Sequence, residues 1–298
     1  MTGQMGTVIV GVIDMGAQDD DHHLKKIIEE AWNSRASIYD QTYGHGLRTD
    51  LERRAWLTHL ERLLPPERPL RVLDVGCGTG FLSLLLAELG HDVVGLDLTE
   101  GMLEVLARKS NARELGIRAV RGDAEDPPAG LGSFDVVISR HLLWTLLQPE
   151  RAVRAWTALT TPGGRVVAID ILGMQAATTR ARLSAACGQL IQNLTESSES
   201  AMTSLRRALR TLVGPGDPHY PAELASRLPL QMARDLDPVR TIWLRSGLEQ
   251  VKAETLSDLD DIGRAQMPAA VRMQHTFRWY LIEGRRPATT PAGSAVQT

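Results

Sequence analysis

Between residues 70 and 172 short apolar runs alternate with stretches of helical periodicity. Val72, Leu73 and Val75 form one run, followed at helical length by FLSLLLAEL (81–89). HDVVGLDL (91–98) forms a second run, then TEGMLEVLARKSNARELG (99–116) reads as a helix with Thr99 as N-cap and Gly116 as its stop. A third strand in IRAVRGDAEDPP (117–128), a fourth in SFDVVISR (133–140), a helix over 149–159, the turn TPGG and the strand RVVAIDIL (165–172) complete the series. Continuous apolar strands separated by helices predict a doubly wound, largely parallel α/β sheet covered on both faces. Two helices are predicted before it: 22–43, on Leu24, Ile27, Ile28, Ala31 and Trp32, and 49–64, stopped by Pro65 and Pro66. Beyond 172 the alternation stops. Residues 173–236 are alanine-rich and helical with a break at GPGDPHYP, then DPVRTIWLRSGLEQ predicts a helix ending at Gly247, VKAETLS a strand and HTFRWYLIEGR the last strand.

The first strand runs into Gly76, Gly78 and Gly80 in RVLDVGCGTG, a strand–turn–helix unit whose glycines let the backbone approach a ligand above the strand end. A dinucleotide fingerprint needs G-x-G-x-x-G, but here Gly80 arrives one residue early and Phe81 holds the last glycine's place. Asp74, just before the turn, would repel a pyrophosphate and attract an ammonium or sulfonium. Asp97 ends the second strand 21 positions after Gly76, where a carboxylate accepts ribose hydroxyls. A cation with a ribose suggests S-adenosylmethionine. Asp123 lies where a carboxylate takes an adenine amino group while the Ala124 N–H faces a ring nitrogen; Glu125 and Asp126 are placed in the loop beyond. Arg140 and His141 follow the fourth strand at the ligand-binding ends of the sheet. His141 suits a general base acting on an acceptor hydroxyl or carbon, and a histidine that only holds the loop is the competing reading.

VLDVGCGTG, GLDLTEGML, GDAEDPP and FDVVISRHLLW together resemble the motif series of the class I SAM-dependent methyltransferases, and among these the small-molecule subgroup that includes the ubiquinone and menaquinone C-methyltransferases (methyltransferase type 11). The resemblance covers roughly residues 70–172. It implies a Rossmann-like, seven-stranded doubly wound sheet with its last strand antiparallel, an N-terminal helical cap and a helical insertion after the fifth strand. It also implies that Cys77 belongs to the cofactor loop, that Leu98 and Met102 pack on the adenosine, with plain core packing as the other reading of Met102, and that Arg140 borders the methionine tail. A tyrosine of the N-terminal helix faces the sulfonium or acceptor in that family. Tyr39 and Tyr43 are the candidates here, with a plain core anchor as the other reading of Tyr39. Trp144 falls on the family's aromatic position near the acceptor. His219 and Tyr220 either face the acceptor pocket or form a surface turn, and His45, between Gly44 and Gly46, is expected to be exposed. The implied reaction is methyl transfer to a small hydrophobic acceptor at carbon or oxygen, in a pathway of specialised metabolism in a bacterium.

Composition narrows the partners. The 298 residues hold 43% hydrophobic and 23% charged side chains at a net charge of −3, which disfavours a polyanion; nucleic acid is not expected as substrate. Cys77 and Cys187 are the sole cysteines, so no disulfide framework is expected, no metal site either, and a reducing cytoplasmic setting fits. No segment has the length to span a bilayer; VIVGVI near the N-terminus is too short. The expected layout is a leader over 1–21, left open between a stray strand, a disordered segment and a piece exchanged between subunits of a homo-oligomer. A cap over 22–66, a core over 67–172, a lid over 173–236, a sheet completion over 237–285 and a disordered tail over 286–298 follow.

Overall fold

The computed structural model describes residues 15–42, 44–64, 68–172, 220–231, 233–267, 272 and 278–288. The expectations for residues 1–14, Tyr43, most of the insertion including Cys187 and His219, and the end of the tail lie outside them.

Seven strands form one sheet: β1 (Arg71–Val75), β2 (Asp92–Asp97), β3 (Arg118–Arg121), β4 (Phe134–Arg140), β5 (Thr160–Leu172), β6 (Glu249–Thr255) and β7 (Arg278–Arg285). Their order is β3-β2-β1-β4-β5-β7-β6, parallel through β5, with β7 antiparallel to both neighbours. The expected doubly wound sheet with an antiparallel last strand is what forms. Chain order reverses between β1 and β4, so a crevice opens above their carboxyl ends.

Strand side chains alternate between two apolar layers. Val72, Ile138 and Val167 face one layer with Trp56 and Leu60 of α2 (Asp50–Leu63) and Leu82 and Leu86 of α3 (Phe81–Glu88). Leu73, Val137 and Val166 face the other, with Val153 and Trp156 of α5 (Pro149–Leu159) and Trp243 of the helix Asp237–Arg245. The central strands are therefore buried on both sides, as their unbroken apolar runs require, while the edge strands β3 and β6 are largely exposed.

Two local expectations are corrected, and a third, the Thr99 N-cap, holds in position but not in its side-chain bond. The first helix, α1, runs from Met15 to Asn33, so residues 15–21 belong to it rather than to a leader, and it stops ten residues before Tyr43. It ends where Asn33 and Ser34 offer side chains to other partners: the Asn33 side-chain oxygen accepts from Gly101 N–H at 3.0 Å, and the Ser34 hydroxyl donates to Ala31 O. Tyr39 then sits in a separate 3-10 turn, Tyr39–Gln41. Thr99 occupies the N-cap of α4 (Glu100–Ala112) without capping it by its side chain, because its hydroxyl bonds Asp97. Finally, residues 257–265 form a helix that the acidic run SDLDD concealed; its Asp260 is buried and accepts from Trp279 N–H at 3.1 Å, which anchors the start of β7.

Candidate active site

A cleft of about 780 Å³ lies above the β1/β4 reversal. Its floor is Gly76 and Gly78, one wall carries Asp97, Leu98, Thr99 and Met102, and the far end carries Asp123, Ala124 and Glu125. Arg140, His141 and Leu142 form the other wall, and Lys25, Ile28, Trp32 and Tyr39 cover it. Of the expected cofactor residues, Gly76, Gly78, Asp97, Leu98, Met102, Asp123, Ala124 and Arg140 share this cleft with Tyr39 and His141.

The glycine loop follows its sequence logic with one revision. Gly76, Gly78 and Gly80 have φ of 66°, 53° and 94°. Gly80 does not line the cleft: it precedes α3, and a Cβ there would lie 2.4 Å from Leu106 of α4. It supplies the close helix packing assigned to a later glycine in a dinucleotide fold. Cys77 is also turned inward. Its sulfur packs beside Gly95 of β2, and burial holds its thiol well above its ordinary pKa.

Asp74 needs a second revision. It lines a smaller side pocket of about 280 Å³ with Tyr39, Arg140 and the glycine loop, not the main cleft. Its carboxyl accepts the Ser83 hydroxyl at 2.5 Å, tying β1 to the first turn of α3. Burial pushes its pKa up to about 7, so its charge is not the fixed feature the sequence suggested.

Asp97 has two jobs. It accepts Gly78 N–H at 2.9 Å and Thr99 N–H at 2.8 Å, which shapes the loop, and it borders the cleft. Asp123 accepts Glu125 N–H at 2.9 Å and meets the Lys25 ammonium at 2.5 Å. Lys25 also pairs with Glu125 at 2.7 Å. Burial acts against the ammonium, but the two carboxylates outweigh it and raise its pKa. Glu125, expected only as loop, is buried and accepts Gln148 N–H at 2.8 Å. Its role is to hold the adjacent segment and the cap together. Ala124 O accepts from the Trp156 indole at 2.9 Å, fixing the backbone between them. Lys25 carried no sequence signal: its partner Asp123 lies 98 residues away.

Tyr39 is held over the loop by its neighbour. Asp40 accepts the Thr79 hydroxyl at 2.6 Å and pairs with Lys109 at 2.5 Å. Burial raises the Tyr39 phenol to about 12, so near neutral pH it can donate a hydrogen bond but not act as a base. Arg140 is buried within three aromatic rings, with its guanidinium carbon 3.8 Å from the Phe81 centroid, 4.7 Å from Trp279 and 4.9 Å from Trp56. It donates to Gly44 O, and burial lowers its pKa to about 10. His141 sits at φ 57°, which a non-glycine residue adopts at a cost, with its N–H bonded to Ile169 O at 2.9 Å. Asp170 holds the next turn by accepting Leu142 and Leu143 N–H, and burial brings its pKa to about 7.

The aromatic residues occupy a second layer. Trp144 is buried 5.6 Å from the His141 ring and does not line the cleft. The Tyr220 hydroxyl accepts from the Trp32 indole at 2.7 Å and bonds Thr145, so Tyr220 ties the end of the insertion to α1. His45 is half-buried, contrary to expectation, and lies flat on Tyr39 at 4.3 Å. Among the described residues no group of three or more His, Cys, Asp or Glu could hold a metal ion, and no helix is long and apolar enough to cross a membrane.

Comparison with known proteins adds a name to this geometry. The methyltransferase domain family matches residues 73–168, the span that builds the glycine loop, Asp97, Asp123 and His141. The chain carries a methyltransferase domain. Over 132 residues it is 34% identical to a demethylmenaquinone methyltransferase of Clavibacter sepedonicus, covering 44% of this chain and 53% of that one. Over 95 residues it is 35% identical to a ubiquinone biosynthesis O-methyltransferase of Coxiella burnetii, covering 32% of this chain and 41% of that one. The match thus spans about half the length of these relatives, or less. A phosphoethanolamine N-methyltransferase of Haemonchus contortus, solved with S-adenosylhomocysteine, shares the fold over 89% of this chain and 60% of its own, at a TM-score of 0.59 and 16% identity. The class I methyltransferase resemblance thus holds for the domain and the fold.

Proposed function

We propose that the chain transfers the methyl group of S-adenosylmethionine to a small, hydrophobic organic acceptor, at oxygen or carbon. The observation carrying this reading is the cleft itself, which sets two carboxylates, Asp97 and Asp123, about a glycine floor and ends in Tyr39, Arg140 and His141. Asp97 would take a ribose hydroxyl on the acceptor position left by its two backbone bonds and the Thr99 hydroxyl. Asp123 and the Ala124 N–H would take the adenine, Leu98 and Met102 its faces, and Arg140 the carboxylate of the methionine tail. When bound, the cofactor supplies an electrophilic methyl on a positively charged sulfur, so the protein's task is alignment in a dry pocket, which can contribute on the order of 7–11 kcal/mol.

At the acceptor end the Tyr39 hydroxyl, neutral near pH 7, donates to an oxygen of the acceptor, and His141 takes the acceptor's proton as the methyl arrives. Ile28, Trp32, Leu142, Leu146 and Leu147 make this end apolar. The two relatives described above act, by name, on quinone precursors, which agrees with an apolar hydroxylated ring. A role in specialised metabolism remains part of the proposal, as do Tyr43 and His219 in the acceptor pocket.

Titration calorimetry with S-adenosylmethionine, S-adenosylhomocysteine and NAD tests the donor, and formation of S-adenosylhomocysteine across a panel of quinols, naphthols and amines tests the transfer. Binding of the adenosyl ligands with turnover of a hydroxylated ring is expected. NAD binding without adenosyl binding would overturn the reading, and adenosyl binding without turnover on any panel member would reduce the chain to a binding module.

A further inference from the structure

The loop Gly44-His45-Gly46 is built to hold one imidazole. Gly44, at φ 83°, presents its carbonyl to Arg140. A Cβ on Gly46 would lie 2.4 Å from the main-chain oxygen of Asp40, so only glycine permits that approach. Asp40 is itself fastened to the cofactor loop through Thr79 and Lys109. Two glycines in three residues make the unfolded loop floppy and its ordering costly, a cost that the Arg140 bond to Gly44 and the close approach of Gly46 to Asp40 offset. The mount presses the His45 ring on Tyr39 at 4.3 Å and 20°, and brings its centroid to 5.2 Å from that of His141. Two rings 5.2 Å apart and tilted by 51° leave room for one water to bridge a nitrogen of each.

We infer that His45 and His141 act as a proton-relay pair, with His45 the positioning and relay residue behind His141. This rests on the proposed methyl transfer. In that step the acceptor's O–H or C–H proton passes to a His141 nitrogen while the acceptor's electron pair bonds the methyl carbon. The carbon–sulfur bond breaks and its electrons return to sulfur. The imidazolium so formed hands its proton through His45 toward solvent, resetting His141 for the next turnover. Tyr39, on which His45 lies, and Arg140, next to His141, are the charged and titratable neighbours of the pair, and Asp40, Glu52, Asp74, Asp97 and Asp170 act on these two in turn. Trp144 and Trp279, each 5.6 Å from His141, close the remaining sides with apolar rings.

Nitrogen-15 NMR titration of the histidines in the full chain with S-adenosylhomocysteine reads the pair without needing the acceptor. Two strongly coupled rings take up protons in two macroscopic steps, so wild-type His141 should show two inflections separated by more than about one pH unit. His45→Gln should leave His141 with a single inflection while changing S-adenosylhomocysteine affinity less than twofold. With the acceptor the wild type turns over, the same variant should lower kcat about tenfold with little change in either KM. A single His141 inflection in wild type overturns the inference, and so does a His45→Gln curve superimposable on it. If His45→Gln does not fold, the wild-type curve alone decides. Loss of adenosyl binding in the wild type would instead overturn the methyltransferase reading, so the two failures are distinguishable.

Discussion

Asp97→Ala probes the cofactor assignment at its most specific contact. A carboxylate offers about four acceptor positions. Gly78 N–H at 2.9 Å, Thr99 N–H at 2.8 Å and the Thr99 hydroxyl occupy three of them, which leaves about one for a ribose hydroxyl from the cleft. A hydrogen bond to a charged acceptor is worth about 1.5–3 kcal/mol, so the Kd for S-adenosylhomocysteine should rise roughly 10- to 100-fold. The variant also strands two backbone N–H groups, at about 1–3 kcal/mol each where water does not reach them, so stability should drop by about 2–6 kcal/mol. These effects separate with a ligand lacking the ribose hydroxyls. Calorimetry at low temperature, where the variant is folded, should show wild type binding the 2′,3′-dideoxy analogue weakly and the variant binding both ligands alike. An equal loss for both ligands in the variant would refute the ribose contact and leave Asp97 as a loop brace only.

The remaining predictions concern the frame around the cleft. Asp74 has a folded pKa near 7, above the unfolded 3.8, so it contributes stability that is present below pH 4 and lost as pH rises toward 7. Asp74→Asn should therefore gain about 2 kcal/mol on wild type between pH 5 and pH 8 in urea unfolding, and a pH-independent difference would contradict the buried carboxyl. Gly80→Ala combines a φ of 94° with a Cβ 2.4 Å from Leu106, so it should cost about 2–5 kcal/mol in the same assay; a loss under 1 kcal/mol would show that Leu106 yields. Arg140→Lys keeps the charge but loses the planar stack on Phe81, Trp56 and Trp279, and should cost about 2 kcal/mol and lower turnover as the Gly44 loop loosens. Unchanged melting and kcat would sink that role.

The cofactor half was legible because its determinants are local. Strand, glycine turn and helix are contiguous in RVLDVGCGTG and FLSLLLAEL, and Asp97 and Asp123 each follow a strand of their own, so position along the chain predicts position in the cleft. What failed was the surroundings of single groups. The sequence could not reveal that Ser83 covers Asp74 or that Lys25 reaches Asp123 and Glu125. Nor could it reveal that a loop histidine between two glycines lies on Tyr39 rather than in water. Charge and exposure depend on partners 9 to 98 residues distant, which no periodicity encodes. The helix over 257–265 was hidden for the same reason, since its buried Asp260 makes sense only beside Trp279 N–H.

This division bears on what similarity can say about substrate. The family match ends at residue 168 and begins at 73, while Trp32, Tyr39, His45, Tyr220 and Trp279 all lie outside it. Those residues, with His141 and Trp144 from inside the match, make one continuous aromatic array over the transfer end: Tyr39 at 5.9 Å, Trp144 at 6.0 Å and Tyr220 at 6.3 Å from Trp32, and Trp279 at 5.6 Å from His141. Of the described residues that line the cleft, those outside the match are Lys25, Ile28, Trp32 and Tyr39 of the cap, with Tyr220 and Trp279 in the layer behind. Loops and appendages carry specificity on a common scaffold, so relatives that share only the matched span inform the donor far more than the acceptor. Exchange of Trp32 or Tyr220 should for this reason alter which acceptors are turned over while leaving adenosyl affinity in place, whereas exchange of Asp97 should do the reverse.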